Sequence, residues 1–336
     1  MGLRGEAAIV GFTELPPSRT PTEPLTFTLE QWATLSAAAG RRRDLGDRGR
    51  RSGLQPTDGV GDLRPVDHRR IPRIPANFAE FVDLGGATAA AMVWRAAAAV
   101  ELGICNAVLC TIPAQYMTPM SDKKPKDYGD ALYFGASSNQ YGSPQAEFEI
   151  PPYGNLGQNG PPYGQVARRY GAVYGYDERA MAKIAVDQRV NANHTAGAIW
   201  HDKPITVEDV LASPMIADPL HRLEIVMPCF GGASVVVASA DLARKSRNRP
   251  VWIKGFGEHV PYKTPPTYAE DLLATPIAKA ADSAFAMAGV TRADIDVASI
   301  YDCYTITVLL SLEDAGFCEK GKGDGVRRFA RPDVPR

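Results

Sequence analysis

Between Val82 and Gly103 the chain reads VDLGGATAAAMVWRAAAAVELG, and no other stretch restricts the fold as much. The pattern predicts a strand near Phe78–Val82, a Gly85-Gly86 turn, a helix running to about Gly103 and a further strand over Ala107–Ile112 (AVLCTI), which together make a βαβ unit. A strand that turns sharply into a helix aims whatever stands at the turn along the helix tip, where unpaired backbone N–H groups and a partial positive charge collect. That geometry suits a nucleophile attacking a carbonyl. No Ser, Cys or Lys stands at this turn, so its chemistry must come from the backbone or from elsewhere. Arg95 and Glu101 break the apolar run, which identifies a packed helix and excludes a membrane span.

With 336 residues, 45% hydrophobic and 22% charged, the chain has enough apolar surface for one large or two medium domains. A formal net charge of -1 gives no overall attraction to nucleic acid or to an anionic membrane. The cysteines, Cys105, Cys110, Cys229, Cys303 and Cys318, are odd in number and form no CxxC pair or metal-ligand spacing. They read as reduced thiols of a cytoplasmic protein, and no secretory leader is recognisable in MGLRGEAAIVGF.

Elsewhere the pattern predicts a buried strand at Ala7–Gly11 and a helix at Thr28–Ala39. Helices follow at Gln165–Tyr174, Asp177–Ala192 and Thr206–Ala212, the last with Thr206 and Asp209 at its start. A strand is expected at Gly231–Ala238. A second cycle then runs through a strand at Val251–Gly255, a helix at Thr275–Ala288 closed by Gly289, a turn at Thr291–Asp294, a strand at Val297–Tyr301 and a helix at Thr305–Ala315 closed by Gly316. Two cycles of like order point to an internal duplication. The Gly-, Pro- and Tyr-rich stretch 113–164 reads as a lid or a disordered insert.

VDLGGATAAAM, TVEDVLASPMIADPL and IYDCYTITVLLSLEDAGF, set in this duplicated layout, resemble the thiolase superfamily, and within it the sterol carrier protein x type and the thiolase-like aldolases of steroid side-chain degradation. The resemblance implies an α/β fold of duplicated βαβ layers (αβαβα). It divides the chain into residues 1–245, with a loop insert at about 113–226, and a partial second half at 246–336. The family continues beyond this chain's last residues, so the second half is expected to be incomplete.

The superfamily's nucleophilic Cys aligns with Gly86. An acyl-transferring thiolase needs a thiolate there, and Cys105 and Cys110 lie at or beyond the far end of the helix, about 25 Å away at 1.5 Å per residue. Members without that Cys act as aldolases, cleaving a β-hydroxyacyl-CoA with a base and a stabilised enolate but no covalent intermediate. The resemblance therefore implies Gly85, Gly86 and Thr88 as the support for a thioester or enolate oxygen. Tyr301, Tyr304 and Asp302 of YDCYT are implied as the acid-base group. Coenzyme A thioester enters as substrate, with no bound cofactor and no metal. It further implies a homodimer and a small OB-fold partner bearing a zinc ribbon, with no nucleic acid and no membrane. A non-catalytic acyl-CoA or lipid binder of the same fold is the alternative; a thiolase acting through Cys303 is a third.

Two segments depart from the family. Arg41–Arg73 is Arg-rich and nearly without apolar periodicity, which fits either a phosphate-binding patch or, preferentially, a pair of compensating reading-frame slips; the tail 321–336 has a similar character.

Overall fold

The computed structural model describes residues 3, 5–14, 17, 77–80, 82, 84–112, 160–227, 229, 232–260 and 270–323. Their elements in chain order are β1 (Ala7–Glu14), α1 (Thr88–Glu101), β2 (Ala107–Ile112), α2 (Gly160–Tyr174), α3 (Glu178–His194), α4 (Val207–Ala212), β3 (Met215–Ala217), β4 (Leu220–His221), β5 (Ala233–Ser239), α5 (Ala240–Lys245), β6 (Val251–Trp252), α6 (Ile277–Ala288) and α7 (Thr305–Asp314). The helix expected at Thr28–Ala39, the Arg41–Arg73 segment, most of the insert and the end of the tail lie outside the described residues.

Two compact units form. One draws on Met1–Tyr116, Thr195–His201 and Cys229–Gly255; the other on Met117–His194, Asp202–Pro228 and Phe256–Arg336. They interleave along the chain.

The first unit is built on a sheet of order β2-β5-β1-β6 in which every neighbouring pair is antiparallel. Strands β1 and β2 both run against β5 and so are parallel to each other, separated by it, in a split form of the βαβ arrangement. Helix α1 lays Ala96, Ala97 and Val100 against Ala7, Cys110 and Val237 of the sheet. Alanine on this face brings helix and sheet close, which is why the Ala-rich run belongs here. The Glu101 carboxyl fastens the end of α1 to β1, accepting hydrogen bonds from the backbone N–H of Glu6 (2.9 Å) and Ala7 (3.2 Å).

Three strand expectations are corrected. The described residues near Phe78–Val82 form no strand; Asn77, Ala79 and Glu80 are exposed, and Glu80 turns to an ion pair with Arg95 (3.4 Å) rather than joining a ladder. The strand at Val251 is only two residues long and pairs with β1, so it extends the first sheet instead of opening a second. Val297–Tyr301 is not a strand. Val297 is 86% exposed, and the sheet of its own unit among the described residues is the β3–β4 hairpin. A segment without a ladder partner must leave its backbone groups to water.

The second unit is helical around α7, whose residues from Ile306 to Glu313 are buried apart from a half-buried Thr307. A helix apolar on nearly every side belongs inside a packed bundle, and α7 packs with Val166 and Tyr170 of α2, Met181 and Ile184 of α3, and Leu220 of β4. Local signals set the ends of the helices. The Thr206 hydroxyl accepts from the Asp209 N–H (3.1 Å) and the Asp209 carboxyl accepts from the Thr206 N–H (2.8 Å), a complete capping box for α4. Gly289 at φ 68° closes α6. Helix α2 starts at Gly160, five residues before the expected Gln165. Pro161 and Pro162 sit in its first turn, where a missing N–H costs no helical hydrogen bond.

Candidate functional site

The proposed site residues fall in both units, and each group is described in its own. In the first unit, Gly85–Ala87 form a single 3-10 turn that feeds α1 directly. Gly86 is exposed. The Ala87 N–H donates to the Leu84 carbonyl (3.1 Å), and the Thr88 hydroxyl accepts from the Leu84 N–H (2.9 Å). Thr88 thus braces the turn, as a first-turn Thr ordinarily does, and retains its own hydroxyl proton to donate. Among the described residues no side chain caps the helix, and no acid stands in its first turn. The tip therefore keeps its positive end uncompensated by any side chain of its own, the arrangement an oxyanion would use.

In the second unit, the turn 301–304 brings a tyrosine cluster together. Tyr304 is the residue preceding α7, in extended conformation, and is 3% exposed. The Tyr163 ring stacks on it with centroids 4.2 Å apart and planes 20° apart. The Cys303 thiol lies 3.4 Å from the Thr307 hydroxyl and within hydrogen-bonding reach of the Tyr163 and Tyr301 hydroxyls. Tyr301 is 53% exposed. Asp302 is exposed at the surface, yet partial desolvation raises its carboxyl above the usual range. Burial pushes the Tyr163 phenol far above its usual value, with the nearby thiol and the other two tyrosines adding to the shift. Tyr163 is then a neutral phenol at physiological pH: a proton donor, not a base.

The thiols read the opposite way from a thiolase nucleophile. Desolvation pushes Cys110 up to about 11, and raises Cys105, Cys229 and Cys303 as well. A reactive cysteine needs its pKa lowered. Cys303 is also 5% exposed.

Tyr163 was not among the sequence candidates because it falls in PPYG, within the stretch assigned to the insert. The readable signal is the Pro pair itself, which opens a helix and puts the following Tyr in its first turn. Gly164 then allows close packing, since a Cβ there would stand 3.0 Å from the Asp218 carbonyl oxygen.

Residues 263–330 match the family "Thiolase C-terminal domain-like", so the likeness runs past Cys318. Among curated proteins, the chain is 28% identical over 334 residues to a 17-hydroxy-3-oxo-4-pregnene-20-carboxyl-CoA lyase of Mycobacterium tuberculosis, covering 95% of this chain and 81% of that one. It is 29% identical over 248 residues to a steroid side-chain-cleaving aldolase of Thermomonospora curvata, covering 72% and 61%. The chain belongs to the thiolase superfamily. An acetyl-CoA acetyltransferase of Methanothermobacter thermautotrophicus is 34% identical over 178 residues, but there this thiolase-superfamily chain spans about half (46%) of its relative's length. The α/β thiolase-like fold is shared with an Ltp2-ChsH2(DUF35) aldolase at TM-score 0.70 and 24% identity, covering 96% of this chain and 80% of that one. A monomeric SCP2-thiolase like protein of Mycobacterium smegmatis gives 0.62 at 16% identity, with 95% and 65% covered.

Proposed function

We propose that the chain is a carbon–carbon lyase that cleaves a bulky, steroid-like β-hydroxyacyl-CoA by a retro-aldol reaction. The observation that carries this reading is the exposed, uncapped tip of α1, where glycine stands in place of a nucleophile while the thiols elsewhere are held protonated. A base takes the β-hydroxyl proton, and the O–H electrons form the new C=O. The Cα–Cβ bond breaks, its pair moves onto the thioester oxygen as an enolate, and an acid returns a proton to Cα. The tyrosine cluster of Tyr301, Tyr304 and Tyr163 carries the protons, Tyr163 as acid, and the enolate oxygen calls for N–H and O–H donors of the kind that the Gly86–Thr88 turn carries. No acyl-enzyme forms, so no thiolate is required.

The reading includes company. The homodimer and the OB-fold zinc-ribbon partner are expectations of the resemblance, and the Ltp2-ChsH2(DUF35) aldolase with which this chain shares its fold supports a two-component enzyme.

Kinetics test it. The full chain, with and without such a partner, is expected to convert the thioester to a carbonyl product and a shortened acyl-CoA, with Tyr304→Phe or Tyr301→Phe lowering kcat by roughly 100-fold or more, the scale of lost acid-base catalysis. Acyl-CoA binding without turnover would replace the lyase by a non-catalytic binder of the same fold. Full activity in both Phe variants would remove the tyrosines from the mechanism.

A further inference from the structure

Directly behind the tyrosine turn lies a buried carboxyl that neither the resemblance nor the proposed reaction uses. Glu224 is 4% exposed, and burying a carboxyl among apolar helices is costly unless each oxygen finds partners. Both do. Oε1 accepts from the Thr305 hydroxyl at 3.0 Å. Oε2 accepts from the His221 backbone N–H at 2.8 Å, and the His221 ring Nδ1 lies 3.1 Å from the same oxygen. Tyr176 is near enough for Glu224 to oppose its phenolate, second to burial.

The partners on one side are the site itself. Thr305 follows Tyr304 and opens α7, and Tyr304's own side chain makes no cap bond. The next residues after Glu224 continue the attachment: Ile225 bridges Tyr304, and the Val226 N–H donates to the Cys303 carbonyl at 2.9 Å. Residues 224–226 therefore grip 303–305 in two ways, by the Glu224 side chain and by the backbone bridge that the Val226 bond helps to close. The backbone bridge fixes where the strand-like segment runs. The Glu224–Thr305 bond fixes how the chain rotates as it leaves Tyr304 for the helix, and hence where the Tyr304 ring meets Tyr163.

We propose that Glu224 is a positioning residue for Tyr304, acting through the Thr305 hydroxyl and held in place by His221. This rests on the lyase reading for its kinetic consequence and on geometry alone for its structural one, so two measurements separate them. In steady-state kinetics, Glu224→Gln is expected to lower kcat roughly tenfold or more with KM within about twofold, and Thr305→Val to do the same. Thr305→Ser should restore most of what Thr305→Val loses. In a Tyr304→Phe background the Glu224→Gln change should cost less than about twofold, because residues acting as one unit are not additive. An equal loss in both backgrounds would make Glu224 a general stabiliser and overturn the proposal.

The second measurement needs no turnover. Alkylation of Cys303, followed by peptide mass against the buried Cys110 as internal reference, should be at least about fivefold faster in Glu224→Gln or Thr305→Val at unchanged Tm, because the turn loosens while the unit stays folded. An unchanged Cys303 rate overturns the proposal whether or not the chain is a lyase. A wild-type chain with no cleavage activity overturns the lyase reading and leaves the alkylation result to decide the role of Glu224.

Discussion

Gly86 lies in the turn that leads directly into α1. Because it is exposed, adding atoms there disturbs little packing, and surface changes of this kind stay within about 0.5 kcal/mol. Gly86→Val is therefore expected to keep Tm nearly constant while lowering kcat/KM at least about tenfold by blocking approach to the backbone donors. Equal activity in the valine variant would place the reacting oxygen elsewhere. Cys110 gives a prediction about stability instead. Its thiol is pushed up to about 11 by burial in the sheet, so the folded state holds the proton more tightly than the unfolded state, which titrates near 8.5–9. The resulting stability is complete below that range and is lost as pH rises towards 11, amounting to about 2 kcal/mol by pH ~10.5. Denaturant titrations at pH 8 and 10.5 should show that loss, and Cys110→Ala should remove most of it; an identical loss in the alanine variant would assign it to other groups.

At the scale of elements, what the sequence showed and what it hid divide along physical lines. The helices at Glu178, Val207, Ile277 and Thr305 were legible because their ends are marked by short-range chemistry: Thr206 with Asp209, and Gly289 in the left-handed region. Strand Ala107–Ile112 was legible because it is a short, mostly apolar run (AVLCTI) that pairs along its whole length with β5. The strands at Phe78 and Val297 were misread because apolar residues state a preference for burial, while a strand also needs a neighbour, and no local pattern reports one. Tyr163 and Glu224 were hidden for other reasons: one falls in a stretch whose composition reads as an insert, the other in an HRLE turn whose capping spacing has His where Ser or Thr is usual. Close packing of elements also carries its own test. A Cβ on Gly257 would stand 1.7 Å from the Ala280 carbonyl oxygen of α6, and backbone cannot yield as a side-chain tip does. Gly257→Ala is expected to cost about 1–3 kcal/mol or more, measured as a fall in urea midpoint; an unchanged midpoint would mean that Gly257 does not lie against α6.

On the scale of the whole molecule, family membership was legible from three motifs, and the departures from it carry the chemistry. In the proposed reaction glycine takes the nucleophile position of the superfamily and the thiols stay protonated, so that cleavage proceeds without acyl transfer, through a polar helix tip and a cluster of phenols. In both compact units, the residues assigned to function sit at the start of a helix: Thr88 opens α1 and Tyr304 precedes α7. Product analysis of a β-hydroxyacyl-CoA incubated with the full chain carrying Cys303→Ala tests this account most directly. The account expects a carbonyl product and a shortened acyl-CoA in equal amounts, at a rate close to that of the chain with Cys303 intact. Release of free CoA with transfer of the acyl group, abolished by the same substitution, would contradict it.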